Sequence, residues 1–174
     1  VDVSIGRYDE LRLLYASRMF ARTSAPTSER RTLHIGLDLF ADAGTKICAP
    51  LEGTVAGFAN NTEKLDYGPV IVLRHELDDA VFHTLYGHLS VESLQNKKIG
   101  QVIQKGEGFA TLGAAPINGD WPPHLHLQIL VDALSLNHNS DLLTDFPGVA
   151  YPNERDVFKI ICPDPHLILG LDAK

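Results

Sequence analysis

From Leu33 onward the chain runs in short stretches of alternating or clustered apolar and β-branched residues, each cut off by glycine, proline or asparagine. The stretches 35–40, 45–49, 53–58, 70–75, 81–86, 101–103, 109–112 and 126–131 are predicted as strands on that pattern. Their length and spacing predict an all-β fold, an antiparallel sandwich or barrel, with its core over 32–132. Residues 1–31 read as an N-terminal extension: 8–20 are apolar-rich and fit helix or strand equally, and Thr23-Ser24-Ala25-Pro26-Thr27-Ser28 reads as a loop. Beyond Val131 the pattern decays through a polar loop at 137–141 into a C-terminal extension, 133–174, expected to pack on the core. A short helix is predicted there over about 154–161, after Pro152-Asn153 and before Pro163. Gly44-Thr45-Lys46-Ile47 leading into Leu51-Glu52-Gly53, and Gly100-Gln101-Val102-Ile103 leading into Lys105-Gly106-Glu107-Gly108, resemble each other loosely. A duplicated hairpin unit and generic turn chemistry both account for the likeness.

One predicted strand carries chemistry on top of its packing pattern. In Pro123-His124-Leu125-His126-Leu127-Gln128-Ile129, alternation places the imidazoles of His124 and His126 on one face, ~7 Å apart along the chain, and the leucines on the other. Upstream, His34-Ile35-Gly36-Leu37-Asp38 offers a nitrogen and a carboxylate that a straight strand would hold ~13 Å apart, too far for one small ion. The chain is therefore expected to bend at Gly36, which tolerates backbone angles other residues avoid. A helix would also bring positions four apart together, but a glycine among Leu33, Ile35, Leu37 and Leu39 favours a kinked strand.

Two histidines and a carboxylate with one open position form a catalytic zinc set, and His34, Asp38 and His126 are assigned to it. His124 and His88, in Tyr86-Gly87-His88-Leu89-Ser90, are left as assisting groups, and a metal-free histidine cluster is the alternative. Strand parity sets His83 opposite to Thr84, Tyr86 and His88, so His83 is expected to point away from the site. His75 reads as a structural hydrogen-bonding residue at a strand end, and His138 and His166 as nonligands in the C-terminal extension. His75-Glu76-Leu77-Asp78-Asp79 begins like the helical H-E-x-x-H zinc motif but ends in Asp79, which removes that reading.

Composition narrows the partners. A net charge of −7 and a pI near 5.5 disfavour nonspecific binding to nucleic acid or anionic lipid. No apolar run approaches the ~20 residues of a membrane span, and a soluble chain is expected. It begins at Val1 and not at methionine, which leaves room for a signal, a propeptide or covalently attached neighbouring domains. Two cysteines, Cys48 and Cys162, do not make a disulfide framework, and Cys48 reads as a small buried apolar residue.

Five ordered blocks together resemble the lysostaphin-type, LytM-like zinc metalloendopeptidases, which cut peptide bridges in bacterial cell walls. The blocks are His34-Ile35-Gly36-Leu37-Asp38, Ala49-Pro50-Leu51-Glu52-Gly53-Thr54-Val55, Tyr67-Gly68-Pro69-Val70-Ile71-Val72-Leu73-Arg74-His75, Thr84-Leu85-Tyr86-Gly87-His88-Leu89-Ser90 and Pro123-His124-Leu125-His126. The resemblance implies a fold of the duplicated-hybrid-motif kind, with zinc at the floor of a groove and a peptide or peptidoglycan-like substrate above it. It likewise implies that His34, Asp38 and His126 hold zinc while His88 and His124 assist catalysis. Two positions depart from it: Asp120-Trp121-Pro122 replaces a small Ser/Thr-Gly pair, and Gln128 stands where glutamate is frequent. Trp121 is expected to wall the groove or touch substrate. The flanks, Ile5-Gly6-Arg7-Tyr8-Asp9-Glu10 and Pro163-Asp164-Pro165-His166, look like the middle domain of fusions between a phosphotransferase-like and a class III aminotransferase domain. That context implies an intracellular peptidase-like unit, the other a cell-envelope enzyme; a noncatalytic zinc-containing binding module is the third reading.

Overall fold

A computed structural model of the chain describes residues 2–25, 27–78, 80–131 and 140–170. Antiparallel pairing dominates it. The main sheet has seven strands in the order β1 (Ser4–Gly6), β4 (Leu37–Phe40), β11 (His124–Val131), β8 (Ala80–Gly87), β7 (Gly68–Leu77), β6 (Gly53–Asn61) and β9 (Val102–Ile103). A hairpin-like pair joins β10 (Gly108–Thr111) to β5 (Lys46–Cys48), and a small sheet sets β3 (Leu33–His34) between β12 (Val149–Ala150) and β2 (Glu10–Leu11). The predicted strands are thus present, with the 35–40 stretch shortened to β4 and a separate two-residue strand, β3, preceding it on the small sheet.

Alternation along the central strands builds two cores. On β7, Ile71 and Leu73 join Leu125, Leu127 and Tyr86 under the β5–β10 pair, while Val70 and Val72 face Leu85, Leu130 and Leu143 on the other side. All of these are buried, and each side chain of this size contributes about 1.5–3 kcal/mol through the apolar area it withdraws from water. The second core is closed by the C-terminal segment. Leu143 comes from α1 (Ser140–Thr144), and Phe158, Ile161 and Cys162 come from or follow α2 (Arg155–Ile161), the helix predicted from the Pro152–Pro163 bracket. A last short helix, α3 (His166–Leu169), adds Ile168 and Leu169 to the first core.

The loosely repeated segments pair crosswise, β5 with β10 and β6 with β9. Cys48 corrects its expectation: it is exposed, because β5 alternates and only Ile47 turns inward. Cys162 is buried, and both thiols are free. The parity argument for His83 also fails. His83 pairs with Leu130 and Gly87 with His126 across the β8–β11 register, so His83 shares the face of His126, four residues further along the strand. Thr84 and Tyr86 point into the opposite core. The premise broke at His88, whose backbone is left-handed (φ 63°) and swings the ring out of the alternation. His75 matches its structural reading, donating from Nδ1 to the Glu52 carbonyl at 2.7 Å while Nε2 meets the Thr84 hydroxyl, also at 2.7 Å. Asp79 and His138 lie outside the described residues.

Candidate metal centre

The bend between β3 and β4 brings His34 and Asp38 together, and β11 adds His126 directly opposite Asp38 in the register. His34 Nε2, Asp38 Oδ1 and His126 Nδ1 then form a triangle with sides of 3.1, 3.1 and 3.2 Å. All three residues are almost fully buried. Gly36 makes the close approach possible, though not as the sequence suggested: its backbone is not left-handed, and what it supplies is space. A Cβ at Gly36 would lie 2.3 Å from His126 Cε1, and one at Gly148 would lie 3.2 Å from the same atom.

The outward nitrogen of every ring is engaged. His34 Nδ1–H donates to the Arg7 carbonyl at 2.8 Å, His88 Nδ1–H to the Asn118 carbonyl at 2.8 Å, and His124 Nδ1–H to the Pro122 carbonyl at 2.7 Å. His126 Nε2–H donates to Gln128 Oε1 at 3.0 Å. The amide orientation is set in turn, because Gln128 Nε2 donates to the Pro147 carbonyl and the Cys162 thiol. Each inward nitrogen therefore carries a lone pair. Three lone-pair donors at 3.1–3.2 Å repel one another unless a cation or a shared proton lies among them. Tetrahedral zinc with bonds of about 2.0–2.1 Å needs donors about 3.3 Å apart, so the donor set fits that ion.

Burial is the first cause of the lowered pKa of His34, His88 and His124, with neighbouring imidazoles acting in the same direction. Burial alone would raise Asp38, but hydrogen bonds and charge from His126 and His34 carry it well below the ordinary carboxylate range. Burial thus favours the neutral form of His34, His88 and His124 beside an ionised Asp38. Asp38 Oδ2 meets Arg12 Nη1 at 2.5 Å, a contact to the N-terminal segment that no pattern in the sequence announced.

Beside the triangle sit the two assisting candidates. His88 and His124 have ring centroids 4.3 Å apart, and His124 Nε2 lies 3.7 Å from Asp38 Oδ1. His124 also stacks on Phe40. The left-handed turn at His88 is held by its own amide donating to the Tyr67 carbonyl and its carbonyl accepting from Gly113. Buried Asn118 ties down the 113–121 loop by bonding the backbone of Gly113 and Trp121. An open cavity of about 140 Å³ abuts His34, His88 and His126. Its far wall is Tyr15, Phe20, Trp121 and Val149, so Trp121 does wall the groove, with help from both terminal segments. Tyr15, Phe20 and Arg12 were not singled out by sequence reasoning. His166 is bound to Asp164, apart from the cluster.

An antiparallel β scaffold carrying a buried two-histidine, one-carboxylate cluster, flanked by two further neutral imidazoles, has the layout of a metallohydrolase. Residues 32–138 match the model of Peptidase family M23, and the chain belongs to that family of zinc metallopeptidases. It is similar to a Haemophilus influenzae protein described as an uncharacterized metalloprotease, 32% identical over 130 residues, or 72% of this chain and 24% of the relative. The chain thus spans about a quarter of the length of that curated relative. Among solved structures it is similar to the catalytic domain of the antimicrobial peptidase lysostaphin from Staphylococcus simulans, at 26% identity, TM-score 0.47, and coverage of 74% of this chain and 80% of that one. A zinc-containing peptidase from Vibrio cholerae is similar at 24% identity, TM-score 0.47, and coverage of 72% and 36%. No described helix is long and apolar enough to cross a membrane.

Proposed function

We propose that the chain binds one zinc ion through His34, Asp38 and His126 and hydrolyses peptide bonds, with cell-wall cross-link peptides as the substrate class. The observation that carries this reading is the triangle of inward lone-pair donors whose outward nitrogens are all engaged. Family membership supports the reaction type and the substrate class.

Bound at those residues, zinc supplies Lewis acidity and activation of water at neutral pH. The chain's own residues do the rest. His88 and His124 present unprotonated Nε2 atoms beside the cluster, because their Nδ1 protons are committed to backbone carbonyls. One takes the proton of the attacking water at Nε2 and returns it to the leaving amine, while the other accepts a hydrogen bond from that water at its own Nε2 and so orients it. Burial favours the proton-accepting form of both at neutral pH. Trp121 and Tyr67 narrow the cavity beside them and orient the substrate chain.

The test is metal content together with hydrolysis of peptides and muropeptides. Wild-type protein is expected to hold about one zinc and to cleave a member of the panel. His88→Ala and His124→Ala are each expected to lose ~10²-fold or more in kcat/KM while keeping the zinc. Zinc-loaded protein inert on every substrate refutes the catalytic part of the proposal and leaves a binding module; protein that holds no zinc refutes both parts.

A further inference from the structure

We propose that Arg12 is a positioning residue of the metal centre: its guanidinium ties down one oxygen of Asp38 so that only the other faces the imidazoles. The inference rests on the reading that the cluster holds zinc. Asp38 divides its two oxygens cleanly. Oδ1 lies 3.1 Å from His126 and 3.2 Å from His34, while Oδ2 meets Arg12 Nη1 at 2.5 Å, with side chains only 11% and 4% exposed.

Arg12 is itself held at each of its nitrogens. Nε donates to Glu10 Oε2 at 2.9 Å, Nη2 to the Arg7 carbonyl at 3.2 Å, and Nη1 also reaches the Tyr15 hydroxyl at 3.3 Å. The backbone is fixed by Arg12 N–H donating to the Thr32 carbonyl at 2.8 Å. Glu10 offsets the charge, so the fork imposes geometry on Asp38 without adding an uncompensated cation beside a metal. The same segment orients a second donor, because the Arg7 carbonyl that accepts from Arg12 also accepts from His34 Nδ1–H. β1 brings this about by pairing Gly6 with Asp38, where a Cβ on Gly6 would come 2.8 Å from Arg12 Nη2. Residues 7–12 precede the stretch matched by the family model, so that match assigns them nothing.

A plain structural ion pair would also fasten the N-terminal segment, and the test separates the two roles. Zinc dissociation constants are measured by chelator competition on the full chain as wild type, Arg12→Met and Arg12→Lys, and the absorption spectrum of each cobalt-substituted protein is recorded. Arg12→Met is expected to weaken zinc about 10- to 100-fold. Arg12→Lys, which keeps the charge and loses the fork, weakens it as well. In both variants the intense four-coordinate cobalt band falls toward a weaker five-coordinate one as the released Oδ2 joins the ion. If Arg12→Met does not fold, Arg12→Lys decides by the same two readouts. Wild-type zinc affinity and an unchanged cobalt spectrum in the folded variants overturn the inference and leave the proposed function standing. A wild-type chain without a zinc site overturns both.

Discussion

Gly36 shows how one missing atom sets the chemistry of this centre. Its Cα packs so near the His126 ring that an added methyl has to push the ring or the backbone aside, because the ring is already held by Gln128 on its other edge. Gly36→Ala is therefore expected to cost about 1–3 kcal/mol of stability as an overpacked position. It is also expected to lower zinc occupancy, since the strain falls on a ligand. Thermal unfolding and metal analysis of the purified variant check both; wild-type values for each would show that the ring has room to move. Gln128 acts on the same imidazole from the far side. It fixes the tautomer with a neutral acceptor, where glutamate would add a buried charge facing the Pro147 carbonyl.

At the scale of elements, the site depends on segments that lack the strand patterning of the core. Leu143 of α1 is 1% exposed and packs against β7 and β11 residues, and its helix leads into the Asp145–Val149 stretch that lines the cavity. Leu143→Ala is expected to destabilise the fold by about 2–5 kcal/mol, read by urea unfolding. A cost near zero would mean that the C-terminal segment is dispensable to the core. The strands and the cluster His34, Asp38, His88, His124 and His126 were legible because alternation and spaced ligand types are local properties of the chain. What escaped was set by tertiary contact. Arg12 lies 26 positions before its partner Asp38, in a stretch where helix and strand patterns fit equally, so nothing nearby marks it. His83 was misplaced because the left-handed backbone at His88, maintained by Tyr67 and Gly113, breaks an alternation that parity assumes continuous.

Taken as a whole, the molecule buries four histidines, His34, His75, His88 and His124, whose pKa values all lie below the ordinary value of 6.5, with burial as the first cause in each. Folding thus favours the neutral imidazoles, and the unfolded chain binds more protons once the pH drops below about 6.5. For a depressed group the stabilising contribution is fully present above the unfolded value and is lost as the pH falls through the folded one. Each such histidine can contribute a slope of up to about 1.4 kcal/mol per pH unit. The metal-free protein is accordingly expected to hold a level unfolding free energy above pH 7 and to lose stability steeply from there toward pH 5. Urea unfolding in chelator across that range measures it. His88→Ala should flatten the slope by removing one titrating group, and His75→Ala should do so by the same logic at a position outside the metal centre. Zinc added to the wild type at 100 times its dissociation constant should restore about 2.7 kcal/mol near neutrality. That gain should shrink in acid, where protons compete for the same nitrogens. A metal-free protein equally stable at pH 5 and pH 7.5 would mean that these imidazoles are free to charge in the folded state, contrary to their burial.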